Sequence, residues 1–532
     1  MGLRDHPWRL AAGGAVVLVL AVAAALLLSG PVTHSGPVAT SREADRDAPP
    51  SVPPPAAHPA LTLSVDAAGP GQRIAPGFLG FSFEFQGVRS YTGTDPQHVN
   101  PVLVQLIRNL TPGQAPVLRI GGDSTDVSYV PAPGVTPPAF VNYPLGPGWM
   151  ATTAALAHEL GARMIMGLNL AANQPKLAAA EAGAFVRALG PGSIEALEIG
   201  NEPNVYGKIT VYRAPFGVPV AARPSSYDYA AYRRQFRSIA AGASSVALAG
   251  PALAVGPTPG SGSWVQSIPG FLRQDRRVAV MTVHRYPLRN CYVPPSSPQY
   301  PSIPHLLSSY ATTGLAASLK RWVSIAHRGH RLLRVDELNS VACRGKTGVS
   351  DTFASALWVT DALFALAHVG VDGIDMHTLP NAAYELFAFH QASGRWQAAV
   401  KPVYYGLQLF AQAAPAGARI LPLARHGRAP GLSTWATRAP NGTERIVMIN
   451  EDPAHDRTVA VRLPAGAHAT VERLLAPSVS AGSGITLGGR SFGSETATGA
   501  LGPMHVAPLR ATGGRVKLSV PHGSAALVTV KR

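Results

Sequence analysis

Leu197-Glu198-Ile199-Gly200-Asn201-Glu202-Pro203-Asn204 is a short apolar run that turns polar at a glycine and a proline, and Leu333-Arg334-Val335-Asp336-Glu337-Leu338-Asn339-Ser340 follows a similar plan. Runs this short, bounded by breakers, read as strands rather than helices. Each stretch therefore delivers a carboxylate, Glu202 or Glu337, from the end of a strand. Outward from this pair, short apolar runs alternate with helical patterns at a spacing of roughly 35 to 50 residues, the mark of βα units. Eight such runs cover 78–85, 116–121, 163–170, 196–200, 246–251, 278–283, 332–336 and 373–377. Between them, segments such as 152–161, 227–244 and 350–369 carry apolar residues at helical spacing, and Ser350-Asp351 offers the last of these an N-cap and a first-turn acid. Eight units in one span predict an α/β fold built as a (β/α)8 TIM barrel.

After Phe410 the texture changes. Short β-prone runs at 445–450, 458–463, 470–474 and 525–530 are separated by Gly, Pro, Asn and Ser, which predicts a C-terminal β-sandwich. The run 61–65 has no βα partner, and we expect it to return and complete a sheet of the sandwich. The expected organisation is a signal peptide or membrane anchor at 1–30, a linker at 31–60, an N-terminal strand segment at 61–77, the barrel at 78–410 and the sandwich at 411–532. Arg4 and Arg9 precede a nearly unbroken apolar stretch at 10–28, so export is expected, with the segment cleaved or kept as an anchor. No cysteine follows that stretch, which argues against a lipoprotein. Residues 31–60, rich in Pro, Ala and Ser, cannot bury a core.

Only 14% of the 532 residues are charged and 46% are hydrophobic, the balance of a folded globular protein. The net charge of +16 is scattered along the chain. It favours anionic partners in general and identifies none. No basic run interleaves with aromatics and no zinc-ligand spacing occurs, so nucleic acid is not an expected partner. A membrane is expected to be met only through the N-terminal segment. The two cysteines, Cys291 and Cys343, each lie a few residues past a candidate active-site strand, which favours a disulfide over two unrelated buried thiols in an exported chain.

Groups at the C-terminal ends of barrel strands face the site. Glu202 and Glu337 close the fourth and seventh runs, across the mouth from each other, so their side chains can converge on one sugar. Retaining glycosidases hold such a pair about 5 to 5.5 Å apart, one as acid/base and one as nucleophile. At that separation the charge of Glu337 would hold the proton on Glu202, and once Glu337 is glycosylated Glu202 can ionise and act as base.

Asn201-Glu202-Pro203 after strand four, with Glu337 after strand seven, resembles the large clan of retaining (β/α)8 glycosidases. Arg119-Ile120-Gly121-Gly122-Asp123-Ser124-Thr125-Asp126 after strand two, His284-Arg285-Tyr286 after strand six and Asp336-Glu337-Leu338-Asn339-Ser340 narrow the resemblance to glycoside hydrolase family 79, which contains β-glucuronidases and heparanases. It covers roughly residues 61–532, because that family also places a β-sandwich after its barrel. The resemblance implies Glu202 as acid/base, Glu337 as nucleophile, Asn201 on the sugar 2-hydroxyl and Tyr286 orienting the nucleophile. It places Glu84 and Asp123 where distal hydroxyls are held, and Tyr384, in the loop after strand eight, on the uronic carboxylate. The chain departs from the family after Glu337, with Val341-Ala342-Cys343-Arg344-Gly345-Lys346 where some members carry an aromatic or Gly-rich patch.

Each residue also has a plain reading. Glu202 alone could be a solvated loop acid, His284 a packed histidine, Tyr286 a ring under a loop, and Glu84 and Asp123 structural acids. Asp336 is an alternative nucleophile, disfavoured because alternation along a strand points neighbours to opposite sides. His377-Thr378 lacks a second ligand at metal spacing, so no metal and no cofactor are expected. The expected activity is hydrolysis of a β-glucuronide, or of a polysaccharide containing uronic acid. A heparanase-like endo-glycosidase, a neutral-sugar glycosidase of the same clan and a non-catalytic carbohydrate-binding protein are the rivals.

Overall fold

The structure, a computed structural model, describes residues 52–531 apart from 67–68, 70, 209, 214–218, 244 and 258–263. The apolar stretch at 10–28 and most of the 31–60 linker lie outside the described residues. Among the described residues no helix is long and apolar enough to cross a membrane.

The eight predicted runs become eight parallel strands of one closed barrel: β1 (Leu79–Glu84), β2 (Val117–Gly121), β3 (Arg163–Leu168), β4 (Ile194–Ile199), β5 (Leu248–Ala254), β6 (Val278–His284), β7 (Leu332–Leu338) and β8 (Gly373–Thr378). Closure comes from β8 against β1, with Ile374 opposite Leu79 and His377 opposite Ser82. Strands of a closed parallel barrel are covered on both sides, which is why they read as continuous apolar runs. Inside, Val117, Ile165, Ala196, Ala249 and Val280 form an apolar plug from five strands. Two residues further along, the same inward-facing positions hold Arg119, Gly167, Glu198 and Thr282. The interior therefore changes from hydrocarbon to charge in one layer.

Leu61–Val65 lies in the sandwich, antiparallel to Leu423–Gly427 and parallel to Arg457–Arg462. Its five-stranded sheet faces an eight-stranded one that includes Leu432–Arg438, Glu444–Asn450, His468–Leu475 and Ser524–Lys531. Leu61, Leu63, Ile446, Met448, Val459, Val461 and Val528 fill the space between the sheets. The alternate residues Val447 and Ile449 join the barrel's core. The helix Phe353–His368 runs through that junction and is buried from Phe353 to Ala367. A helix buried all round needs cover on every side, and the sandwich supplies one side, with Phe364 stacked on Trp435 at 5.8 Å and Asp361 accepting from Trp435 Nε1 at 2.6 Å.

One local expectation fails here. The N-cap position of this helix is Thr352 rather than Ser350, and no side chain caps it. Phe353 N–H and Ala354 N–H donate instead to the carbonyls of Ala481 and Val479, both at 2.8 Å. Ser350 Oγ and Asp351 Oδ1 accept from the loop amides of Lys346 and Gly348. A helix start docked on the second domain has its free donors met by that domain, so it needs no local cap.

Candidate active site

Arg119 is the centre of the arrangement. Fully buried, its guanidinium donates through Nε to Glu198 Oε2 at 2.9 Å, through Nη1 to Glu337 Oε2 at 2.9 Å and Ser82 Oγ at 3.1 Å, and through Nη2 to Asn201 Oδ1 at 2.9 Å. Its fork thus fixes one carboxylate below and one at the mouth. The Gly121-Gly122 pair makes the room. A Cβ at Gly121 would meet Arg119 Nε at 2.5 Å, and one at Gly122, where φ is 77°, would run into the Glu84 carboxylate. Gly122→Ala should therefore cost about 1–2 kcal/mol from the left-handed backbone alone, before Glu84 is displaced. Thermal unfolding checks this, and an unchanged Tm would contradict it.

Glu202 follows β4 with φ 48° and ψ 47°, a left-handed conformation held by its N–H donating to Ala252 O at 2.9 Å. Its Oε1 lies 3.0 Å from His284 Nδ1, and the same nitrogen is 3.6 Å from Glu337 Oε2. One oxygen of Glu202, one of Glu337 and a ring nitrogen of His284 lie within 4.8 Å of one another. Tyr286 donates to Glu337 Oε1 at 2.9 Å. Burial works against charge on Glu337, but His377, His284, Arg119 and the Tyr286 hydroxyl outweigh it and hold this carboxylate well below its usual range. Burial first, then Glu337, pushes the Tyr286 hydroxyl well up, so it stays a donor.

Asp336 does not simply point away from Glu337. Between Thr282 opposite Arg334 and His284 opposite Glu337, β7 carries an extra residue relative to β6. A bulge breaks alternation, so both side chains reach Arg119: Asp336 Oδ2 lies 3.8 Å from Nε while Glu337 bonds to Nη1. Asp336 is fully buried. Only Glu337 keeps some contact with solvent, 13% of its side chain.

Around this centre, Asn201 Nδ2 donates to Asp123 Oδ1 at 3.2 Å, and Asp123 is open to solvent. Glu84 accepts from Asp123 N–H at 3.1 Å and Ser124 N–H at 2.8 Å and also bonds the Ser124 hydroxyl, so much of its accepting capacity is already used by its own loop. Tyr384 is buried, its ring 6.3 Å from Tyr286 and 5.8 Å from His377. Burial, then the carboxylates of Glu337, Glu84 and Asp123, raise its hydroxyl well above the ordinary value, while Arg344 works in the opposite direction. Cys291 and Cys343 are joined by a disulfide with Cα atoms 6.1 Å apart.

Sequence reasoning missed Arg119, Glu198 and His377 as members of the site. His377 Nδ1 lies 3.0 Å from Ser82 Oγ, and its Nε2 lies 3.7 Å from Glu84 Oε1. The available signal was charge at strand positions two residues past the apolar plug. A second trio, Glu198, His284 and Asp336, also lies within 4.8 Å. The cation that the structure sets beside all three is the Arg119 guanidinium, 3.2 Å from His284 Nε2.

Residues 434–527 match the glycosyl hydrolase family 79 C-terminal beta domain. A Beta-glucuronidase of Neurospora crassa is 23% identical over 432 residues, covering 74% of this chain and 75% of its own. Among solved structures, a 4-O-alpha-L-rhamnosyl-beta-D-glucuronidase from Fusarium oxysporum superposes with a TM-score of 0.67 at 20% identity, over 88% of this chain and all of its own. A GH51 arabinofuranosidase from Xanthomonas axonopodis pv. citri gives 0.63 at 14% identity, over 89% and 100%. At these identities the solved structures speak for the barrel-and-sandwich fold. The matched β domain and the glucuronidase relative carry the rest: the C-terminal domain is that of glycoside hydrolase family 79, and the chain is a glycosidase similar to that family.

Proposed function

We propose that the chain is an exported retaining β-glucuronidase, with Glu337 as nucleophile and Glu202 as acid/base. The observation that carries the mechanism is the close approach of the two carboxylates around His284, within 4.8 Å oxygen to oxygen. Inverting enzymes keep their carboxyls about 6.5–9.5 Å apart to admit a water, and retaining ones about 5–5.5 Å. The asymmetry of partners supports the roles. Arg119 and Tyr286 keep Glu337 charged for attack, whereas among the described residues the Glu202 carboxyl bonds only His284, which leaves it an oxygen to exchange a proton with the leaving group. The disulfide supports export.

The glucuronide preference draws on the names of the relatives and on the loop where this chain departs from its family. Cys343, Arg344 and Gly345 take φ of 63°, 67° and 78° in succession. This turn lies against the loop after β8: Ala383 N–H donates to Arg344 O at 2.9 Å, and Arg344 Nη2 donates to Pro380 O at 3.3 Å. A guanidinium and the Tyr384 hydroxyl on neighbouring loops suit a carboxylate, which the acidic set of Glu84, Asp123, Glu202 and Glu337 would otherwise repel. A neutral sugar would leave those donors unmet. An aryl glucuronide should be hydrolysed on the order of 10²-fold faster than the matching glucoside, and Tyr384→Phe should narrow that gap. Equal kcat/KM for the two substrates would reject the glucuronide reading and leave the retaining mechanism standing.

A further inference from the structure

Beneath the nucleophile lie two carboxyl groups that the reaction does not use. Glu198 on β4 and Asp336 on β7 are both fully buried. Glu198 Oε2 is taken by Arg119 Nε, yet Glu198 Oε1 and both oxygens of Asp336 have no hydrogen-bond donor from any described group. One oxygen of each carboxyl lies within 4.8 Å of one of the other, beside a ring nitrogen of His284. Ionised, both would be acceptors only, pressed together where water cannot separate them. The charged and titratable groups around the pair are Arg119, His284, with Nε2 3.6 Å from Asp336 Oδ1, Glu337 above, the buried Tyr232 beside Glu198, and Asp375 on β8, itself paired with Arg334. Among the described residues Arg119 is the permanent cation in contact with both, and it is also claimed by Glu337.

We propose that Glu198 and Asp336 share a single proton, carried on Asp336, and act as positioning residues that anchor Arg119 with one fixed negative charge whatever the state of Glu337. The functional half of this inference rests on Glu337 being the nucleophile. In the resting site Arg119 stands between two anions, Glu198 below and Glu337 at the mouth. When Glu337 forms its ester with the sugar its charge disappears, and Glu198 alone still balances the guanidinium. Arg119 therefore stays in place, and with it Asn201. Had both lower carboxyls been ionised, they would draw the guanidinium down and weaken its hold on Glu337. The electrostatics agree in direction: burial and then Glu198 push Asp336 well up, while burial is also the largest effect on Glu198 but Arg119, Asp336, His284 and Thr282 together outweigh it and draw Glu198 down.

The test is a double-mutant cycle with pH profiles, read beside infrared spectra. Asp336→Asn preserves a neutral partner, so kcat/KM should fall by no more than about tenfold with its acid limb in place. In Glu198→Gln, Asp336 should give up its proton to replace the lost charge, so the acid limb moves to higher pH. The double variant removes both carboxyls that meet Arg119 from below and should lose far more than the product of the single effects. An Asp336→Asn loss of a hundredfold or more, or plain multiplicativity, would overturn the proposal. The infrared arm needs no substrate and no double variant: the carbonyl band of a buried carboxylic acid should vanish from wild type to Asp336→Asn. If no such band is lost, the shared proton is wrong even where activity confirms Glu337, whereas a lost band with full Glu337→Gln activity would indict the nucleophile alone.

Discussion

Glu337→Gln should lower turnover on the order of 10⁴-fold or more, the scale seen when a nucleophile is removed from a preorganised site. The amide keeps the shape, its oxygen can still accept from Arg119 and its NH2 can donate to the Tyr286 hydroxyl, so the loss would report chemistry rather than collapse. On the proposed mechanism it removes the anion that attacks the anomeric carbon and with it the glycosyl-enzyme. Burial opposes that anion, and His377, His284 and Arg119 together overcome it. The wild-type nucleophile should therefore remain ionised through the mildly acid range, and any acid limb seen there belongs to another group. Steady-state rates on an aryl glycoside, with a thermal melt to confirm folding, decide the matter. Turnover within tenfold of wild type would remove Glu337 from its role.

The second large effect is selective. On the proposed mechanism Glu202→Ala removes the proton donor and the later base while leaving Glu337, Arg119 and Tyr286 in contact, so glycosides with very good leaving groups should still form the intermediate. Those with poor leaving groups should stall, by about 10²–10⁴-fold, the usual range for general acid catalysis. Azide, small enough for the space vacated by the carboxylate and needing no base, should then speed release and yield the glycosyl azide with retained configuration. An equal loss for both kinds of substrate, with no response to azide, would assign the proton transfer elsewhere.

The barrel could be read because each of its strands is covered on both sides, so chain segments such as 164–168 are apolar throughout and stand out between helical patterns. Glu202 and Glu337 could be read because each ends such a run. The layer beneath them could not. Arg119, Glu198 and Asp336 lie far apart in sequence, and only closure of the barrel brings them together. The bulge in β7 was also invisible, since nothing in Val335-Asp336-Glu337 marks the extra residue that lets two successive carboxylates meet one guanidinium. The missed helix start has a similar cause. Thr352 needs no side-chain cap because carbonyls from the sandwich, at Val479 and Ala481, meet the exposed amides.

Leu61–Val65 belongs to a sheet whose other strands are synthesised only after the whole barrel, with Thr62 opposite His426 on one side and Ala460 on the other. This strand leaves the ribosome early and waits for its partners until the end of translation. A gene fragment cut where the family's β domain begins, at residue 434, would lack it together with Leu423–Gly427, leaving Arg457–Arg462 with an open edge that invites pairing between molecules. The same strand acts as a belt in the finished protein. Because it joins the far domain before the chain enters β1, the barrel is held to the sandwich by two crossings of the backbone, and pulling the two apart would first have to strip a strand from the middle of a sheet.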